Sequence, residues 1–205
     1  MEIILENVGR RFNREWIFKN INYTFCSGKS YAILGINGSG KSTLLQILCG
    51  SLSPSQGKIA YQQNKKAIDT EHIFQQVSIA APYLELIEDF TLSEAIHFHF
   101  QFKKPLDKIS SKEIIHLLGM ESSKNKQVKY FSSGMKQRLK LVLAFLSDTP
   151  LLFLDEPCSN LDNQGITWYH QLVSTYSKDR LVIVCSNQEV EYDFCENQLK
   201  IADYK

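Results

Sequence analysis

Apolar and polar positions alternate through the first part of the chain. Residues 3–8 (Ile-Ile-Leu-Glu-Asn-Val) and 16–25 carry the β-branched and aromatic side chains of strands, and Ile21, Tyr23 and Phe25 alternate with polar neighbours. Together they predict an antiparallel flank with one wet face. Cys26-Ser27-Gly28-Lys29 reads as a turn into a strand at 30–34, which ends in a glycine-rich loop followed by a helix from Thr43. Residues 50–57 break the pattern with Gly, Ser and Pro, 58–61 form a short strand, 62–72 form a polar surface excursion, and 77–81 form a strand that Pro82 ends. From Thr91 to about Ser147 the period changes to about 3.6: Leu92, Ala95, Ile96 and His99, then Ile114, Ile115, Leu117 and Leu118, then Met135, Leu139, Val142, Leu143 and Leu146. Thr91-Leu92-Ser93-Glu94 has capping-box spacing, and Pro105 and Gly119 punctuate the segment. Leu151–Leu154 and Leu181–Cys185 are continuous apolar runs, suited to strands covered on both faces, and Trp168, Leu172 and Tyr176 between them sit at helical spacing. Residues 198–204 suggest a terminal strand. The pattern predicts an α/β fold: a core of mainly parallel strands at 1–81 and 148–205, an antiparallel β flank, and an inserted α-helical lobe at about 82–147.

Composition excludes more than it assigns. The 205 residues fit one domain, and 23 basic against 22 acidic residues leave a net charge of +1, so no basic field recruits nucleic acid. The start, Met1-Glu2-Ile3-Ile4-Leu5-Glu6, is acidic where a secretory signal is basic, and no apolar run approaches the ~20 residues that span a bilayer. A cytosolic chain is expected. The five cysteines form no C-x-x-C pair, which predicts free thiols and no zinc site.

Candidate chemistry begins at Gly35-Ile36-Asn37-Gly38-Ser39-Gly40-Lys41-Ser42-Thr43, directly after the strand at 30–34. The spacing G-x-x-x-x-G-K-[ST] is that of a phosphate-binding loop, whose glycines let backbone N–H groups turn inward around a triphosphate. Lys41 supplies a charge to the outer phosphates, Ser42 a hydroxyl to Mg²⁺, and the helix that follows presents its N-terminus to the anion. A second group, Asp155-Glu156, ends the apolar run Leu151–Leu154. Asp155 suits Mg²⁺ held through its water shell, and Glu156 suits polarising a water for attack on a γ-phosphate. Two carboxylates after an apolar strand are common; the upstream loop is what turns them into a candidate site. Phe131-Ser132-Ser133-Gly134-Met135 opens a helix, and read alone it is a plain helix cap.

Taken together these residues resemble the ATP-binding subunits of ABC transporters, over essentially the whole chain. Residues 35–43 look like the Walker A loop and Leu151–Glu156 like Walker B with catalytic Glu156. Ser132 and Gly134 are kept from the family signature Leu-Ser-Gly-Gly-Gln, and Ser159-Asn160-Leu161-Asp162 resembles the D-loop with Asp162. Phe12 sits where the family places an aromatic that stacks on adenine; as a sequence feature it reads equally as a strand aromatic. The resemblance implies ATP and Mg²⁺ as ligands, and a homo- or heterodimer of ATP-binding subunits. In that dimer Ser132 and Gly134 of one copy meet the ATP held by Lys41 of the other. It further implies an integral membrane partner, and a cytoplasmic location peripheral to the inner face of the cell membrane. The Ser-Ser-Gly-Met signature resembles those of compact exporter subunits, which points to export.

Two positions depart from the family. Pro82 stands where a Gln contacts Mg²⁺ and the attacking water, with Gln75 and Gln76 ahead of the strand instead, and Asn187 stands where a His contacts the γ-phosphate. An Asn amide donates a hydrogen bond but carries no positive charge. The departures keep open a second reading, an ATP-gated regulatory or assembly subunit with little intrinsic hydrolysis. A third, a soluble protein acting on ribosomes or DNA, usually has two nucleotide domains or a long coiled-coil insertion, and this chain shows neither. Residues 83–90 (Tyr-Leu-Glu-Leu-Ile-Glu-Asp-Phe) read either as the place where a membrane partner docks a short helix or as an ordinary loop with buried Leu and Ile. Lys124, Lys126 and Lys129 read as a solvated basic loop.

Overall fold

A computed structural model describes residues 1–107 and 109–205. In chain order the elements are β1 (Glu2–Phe12), β2 (Glu15–Cys26), β3 (Ser30–Leu34), α1 (Lys41–Leu48), β4 (Gln56–Gln63), β5 (Lys66–Ile68), β6 (Val77–Ala80), α2 (Leu92–Phe102), α3 (Ser111–Leu118), α4 (Ser133–Phe145), β7 (Leu151–Asp155), α5 (Asn163–Tyr176), β8 (Leu181–Ser186), α6 (Glu189–Tyr192) and β9 (Asn197–Lys200). Backbone contacts divide the chain into two compact units, one of residues 1–77, 150–156 and 179–205, the other of 78–149 and 157–178. The fold class is the expected one: α/β, with a parallel and an antiparallel sheet.

In the first unit the antiparallel sheet has the order β2-β1-β4-β5, and the strands β7-β8-β3-β9 lie side by side in parallel. Every residue of β7 and β8 is buried, the pattern their unbroken apolar runs require, whereas β1 and β2 alternate. Residues 62–72 lie at the surface as expected, but they are built as a hairpin followed by a 3-10 turn rather than as an irregular loop. β4 runs on to Gln63 and returns as β5 through Asn64-Lys65, both with positive φ (51° and 66°), the two-residue turn whose twist suits a hairpin. A 3-10 turn over Thr70–Gln76 then buries Ile73 and leads into β6. The terminal strand is shorter than expected; β9 gives way to a 3-10 turn at Ile201–Tyr204.

The second unit holds α2–α5. The capping box at Thr91 forms: Glu94 Oε2 accepts the Thr91 N–H at 2.7 Å while Thr91 Oγ1 accepts the Glu94 N–H, and a second box forms at Ser110 and Glu113. The buried face of α5 is Gly165, Tyr169, Leu172 and Val173, so the stripe expected from Trp168, Leu172 and Tyr176 holds only at Leu172. Trp168 stays half-buried because its indole N–H needs an acceptor, which it finds at Leu117 O (3.0 Å), with the Arg138 guanidinium 5.3 Å from its ring centroid.

Candidate functional site

β3 delivers the chain into the loop 35–40, which closes on itself through the Ser39 N–H and Ile36 O at 3.0 Å. Gly40 has φ +110°, and a Cβ there would strike Ile17, so only glycine turns this corner into α1. No side chain caps α1 and no acidic residue sits in its first turn, which leaves its leading N–H groups and dipole to an anion. Lys41 is 4 % exposed, and its ammonium donates to Gly35 O (2.8 Å) and Ile36 O (3.3 Å). The charge is thereby held against the loop's own carbonyls. Asn37, Gly38, Gly40, Lys41, Ser42, Thr43, Ile17 and Glu156 line one cleft of about 190 Å³. A cleft this size takes phosphate groups rather than a whole nucleotide.

Asp155 and Glu156 arrive from β7. Asp155 is 1 % exposed, and neither carboxylate oxygen has a hydrogen-bond partner among the described residues. Burial pushes its carboxyl above the ordinary value; the neighbouring Ser42 hydroxyl and, least, Lys41 oppose the shift, while the Glu156 charge adds to it. A buried carboxylate with two orphaned oxygens beside a serine hydroxyl is a fit for a hard divalent cation. Glu156 follows with φ +44°, a left-handed conformation rare for a side chain of this kind, fixed by its N–H donating to Cys185 O at 2.9 Å. From the next strand end, Asn187 Nδ2 donates to Asn37 Oδ1 at 3.3 Å. Thus Asn37, Lys41, Ser42, Asp155, Glu156 and Asn187 gather in the first unit, with Gly35 and Ser39 forming the loop beneath them. Phe12 does not line this cleft; it is 46 % exposed at the end of β1, with the Arg10 guanidinium 4.6 Å above its ring.

The second unit builds a separate recess of about 460 Å³ around Ser132, Gly134, Arg138, Asn160 and Asp162. Ser132 caps α4 by accepting the Met135 N–H at 3.2 Å, and Asp162 caps α5 by accepting the Gly165 N–H at 2.7 Å. A Cβ on Gly134 would lie 2.9 Å from Asn160 O, so glycine there allows the two segments their close approach. Buried Gln137 donates to Pro157 O at 2.8 Å and ties α4 to the same loop. In the segment after β6, Lys140 donates to Ala81 O (3.3 Å) and Pro82 O (3.0 Å). Tyr83 and Ile87 are exposed, and Leu84 and Leu86 only half-buried, which is not the buried loop of the blander expectation.

Residues 18–159 match the family described as ABC transporter. The chain belongs to the ABC transporter ATP-binding family. The matched stretch takes in the loop, the signature-like residues and Asp155-Glu156, and ends before Asp162 and Asn187. Among curated relatives, the ABC transporter ATP-binding protein YcbN of Bacillus subtilis is 31 % identical over 163 residues, 80 % of this chain and 53 % of that protein. The match thus spans about half of that relative. The lantibiotic transport ATP-binding protein SrtF of Streptococcus pyogenes is 28 % identical over 195 residues, 92 % of this chain and 82 % of that protein. A bacterial ABC transporter cassette solved as a dimer shares the fold at a TM-score of 0.79 and 23 % identity, covering 97 % of this chain and 94 % of that one.

Three residues that line the clefts of this ABC ATP-binding chain were not assigned a role from the sequence. Ile17 lines the phosphate cleft from β2, yet in sequence it is one apolar strand residue among several. Arg138 and Asn160 line the recess of the second unit. Asn160 gave a usable signal, an Asn within a Ser-Asn-Leu-Asp turn, and it adopts φ +63°. No helix among the described residues is long and apolar enough to cross a membrane.

Proposed function

We propose that this chain binds and hydrolyses MgATP as the motor subunit of an ABC transporter, closing as a dimer to drive a separate membrane protein. The observation that carries the reading is the convergence of Lys41, Ser42 and Glu156 on one cleft with orphaned Asp155 beside them. Lys41 exchanges the carbonyls of Gly35 and Ile36 for outer phosphate oxygens, and the first N–H groups of α1 take the inner ones. Ser42 and Asp155 would hold Mg²⁺, which would supply positive charge against the outer phosphates. Glu156 accepts a hydrogen bond from the attacking water and orients it, and the Asn187 amide donates to the γ-phosphate. Phe12 offers its exposed face to adenine. In a second copy, the N-terminus of α4 at Ser132 and Gly134, with Asp162 beside them, caps the same ATP. The cassette of like fold solved as a dimer supports this arrangement.

Exposed Tyr83 and Ile87, beside a recess of about 370 Å³ lined by Leu84, Leu86, Lys136 and Lys140, support docking of the membrane partner there. On this reading the chain works at the cytoplasmic face of the membrane. Export is the favoured direction, in keeping with the Ser-Ser-Gly-Met signature. The experiment is MgATP turnover by wild type and Glu156→Gln. We expect turnover to fall by about 10²–10⁴ in the variant with ATP still bound. Equal turnover in the two proteins refutes Glu156 as the residue that handles the water.

A further inference from the structure

Behind Asn187 lies a buried acidic residue with no part in the reaction described above. Glu191, on α6, is 0 % exposed, as is Ser186 at the end of β8. The Ser186 hydroxyl meets Glu191 Oε2, and the same hydroxyl oxygen accepts the Gln188 N–H at 2.8 Å. The turn is closed by the Glu191 N–H donating to Gln188 O at 3.0 Å. These bonds enclose Asn187, whose amide reaches Asn37 in the phosphate loop. One residue before Ser186, Cys185 O holds the Glu156 N–H. The strand end that Glu191 grips therefore carries two contacts of the site.

Burying a carboxylate costs free energy that an apolar side chain of similar volume would not, so packing alone gives no reason for Glu here. The Ser186 hydroxyl has a longer alternative acceptor in Gln188 O at 3.3 Å; what Glu supplies and Leu lacks is the closer acceptor, which orients the hydroxyl so that its oxygen faces the Gln188 N–H. We infer that Glu191 is a positioning residue: through Ser186 it fixes the turn that presents Asn187 to the nucleotide. The inference rests on the ATP-hydrolysis reading for its kinetic consequence and not for its structural one.

The test compares wild type, E191A, E191Q, N187A and E191A/N187A in MgATP turnover, together with hydrogen exchange at the Gln188 amide. E191A should lower kcat about tenfold, the loss expected for one hydrogen bond to a charged group, with KM for ATP within about twofold of wild type. E191Q keeps an acceptor oxygen and should recover most of the rate. Because Glu191 acts through Asn187, E191A should add little in the N187A background. The Gln188 amide should exchange faster in E191A and return towards wild type in E191Q. Losses that multiply in the double variant overturn the inference, as does an E191Q as impaired as E191A, or unchanged exchange in E191A. Absent turnover in wild type defeats the hydrolysis reading alone, since exchange at Gln188 still reports whether Glu191 holds the turn. If E191A does not fold, Ser186→Ala removes the same link and should show the same kcat loss and faster exchange.

Discussion

Replacing Asp155 with Asn should stabilise the nucleotide-free protein while abolishing the Mg²⁺-dependent part of its stabilisation by MgATP. Asp155 is 1 % exposed, with both oxygens lacking a hydrogen bond among the described residues, and burial raises its pKa. An unsatisfied buried polar group costs about 1–3 kcal/mol and a charged one more, so exchanging carboxylate for an isosteric amide should return about 1–2 kcal/mol. At 2–4 °C per kcal/mol for a chain of this size, the unfolding midpoint should rise by roughly 2–8 °C. The sign with pH follows from the raised pKa. Between the ordinary carboxyl value of 3.8 and the raised one, the native state binds more protons than the unfolded state. The Asp155 contribution to stability therefore falls as pH rises through that window, and the advantage of Asn over Asp should fade as pH drops towards 4. In wild type, MgATP at about a hundred times its Kd should add about 2.7 kcal/mol, and in D155N the Mg²⁺-dependent part should disappear. Urea unfolding with and without MgATP reads both effects. A nucleotide-free D155N that unfolds at lower urea than wild type refutes the reasoning, because the carboxylate would then have native partners worth more than its burial costs.

Two other positions give sharp expectations. His99 contacts the Ser147 hydroxyl at 2.9 Å, and burial, with Lys103 nearby, lowers its pKa to about 4. The folded ring binds fewer protons than the unfolded one between pH 6.5 and 4, so stability should rise with pH across that window, by on the order of 3 kcal/mol, in wild type but not in His99→Gln. Equal pH slopes in the two proteins would sink this. Gly134→Ala sets helix propensity, which favours Ala by about 1 kcal/mol, against a Cβ only 2.9 Å from Asn160 O. The clash should win by about 1–2 kcal/mol, lowering the urea midpoint, and a higher midpoint would show that Asn160 can yield.

What was legible in the sequence shares one property: its physical requirement is local. A strand, a glycine turn, a lysine and a helix start within residues 30–43 specify the phosphate loop, and unbroken apolar runs specify β7 and β8. The capping box at Thr91 was legible for the same reason. The β4–β5 hairpin was not, because Asn64-Lys65 adopts positive φ without the glycine that usually announces such a turn. The face of α5 was misjudged at Trp168, where an indole N–H seeking Leu117 O outweighs the pull of the ring towards the core. Ile17 and Glu191 depend on partners 23 or more residues away or on burial itself, and no spacing rule announces either.

The free energies of the first unit's site point in one direction. Asp155 lies buried without a hydrogen-bond partner, Lys41 is folded onto carbonyls of its own loop, and Glu156 holds a left-handed backbone that its residue type disfavours. The first and the last are local costs that folding tolerates because β7, β8 and β3 are fixed by apolar packing. Under the proposed function, a nucleotide with its cation would give Lys41 phosphate oxygens in place of those carbonyls and Asp155 a positive partner. Ligand binding and stability of this unit are then two readings of the same unmet electrostatics. A substitution that relaxes the ligand-free site should weaken its grip on MgATP by a comparable free energy.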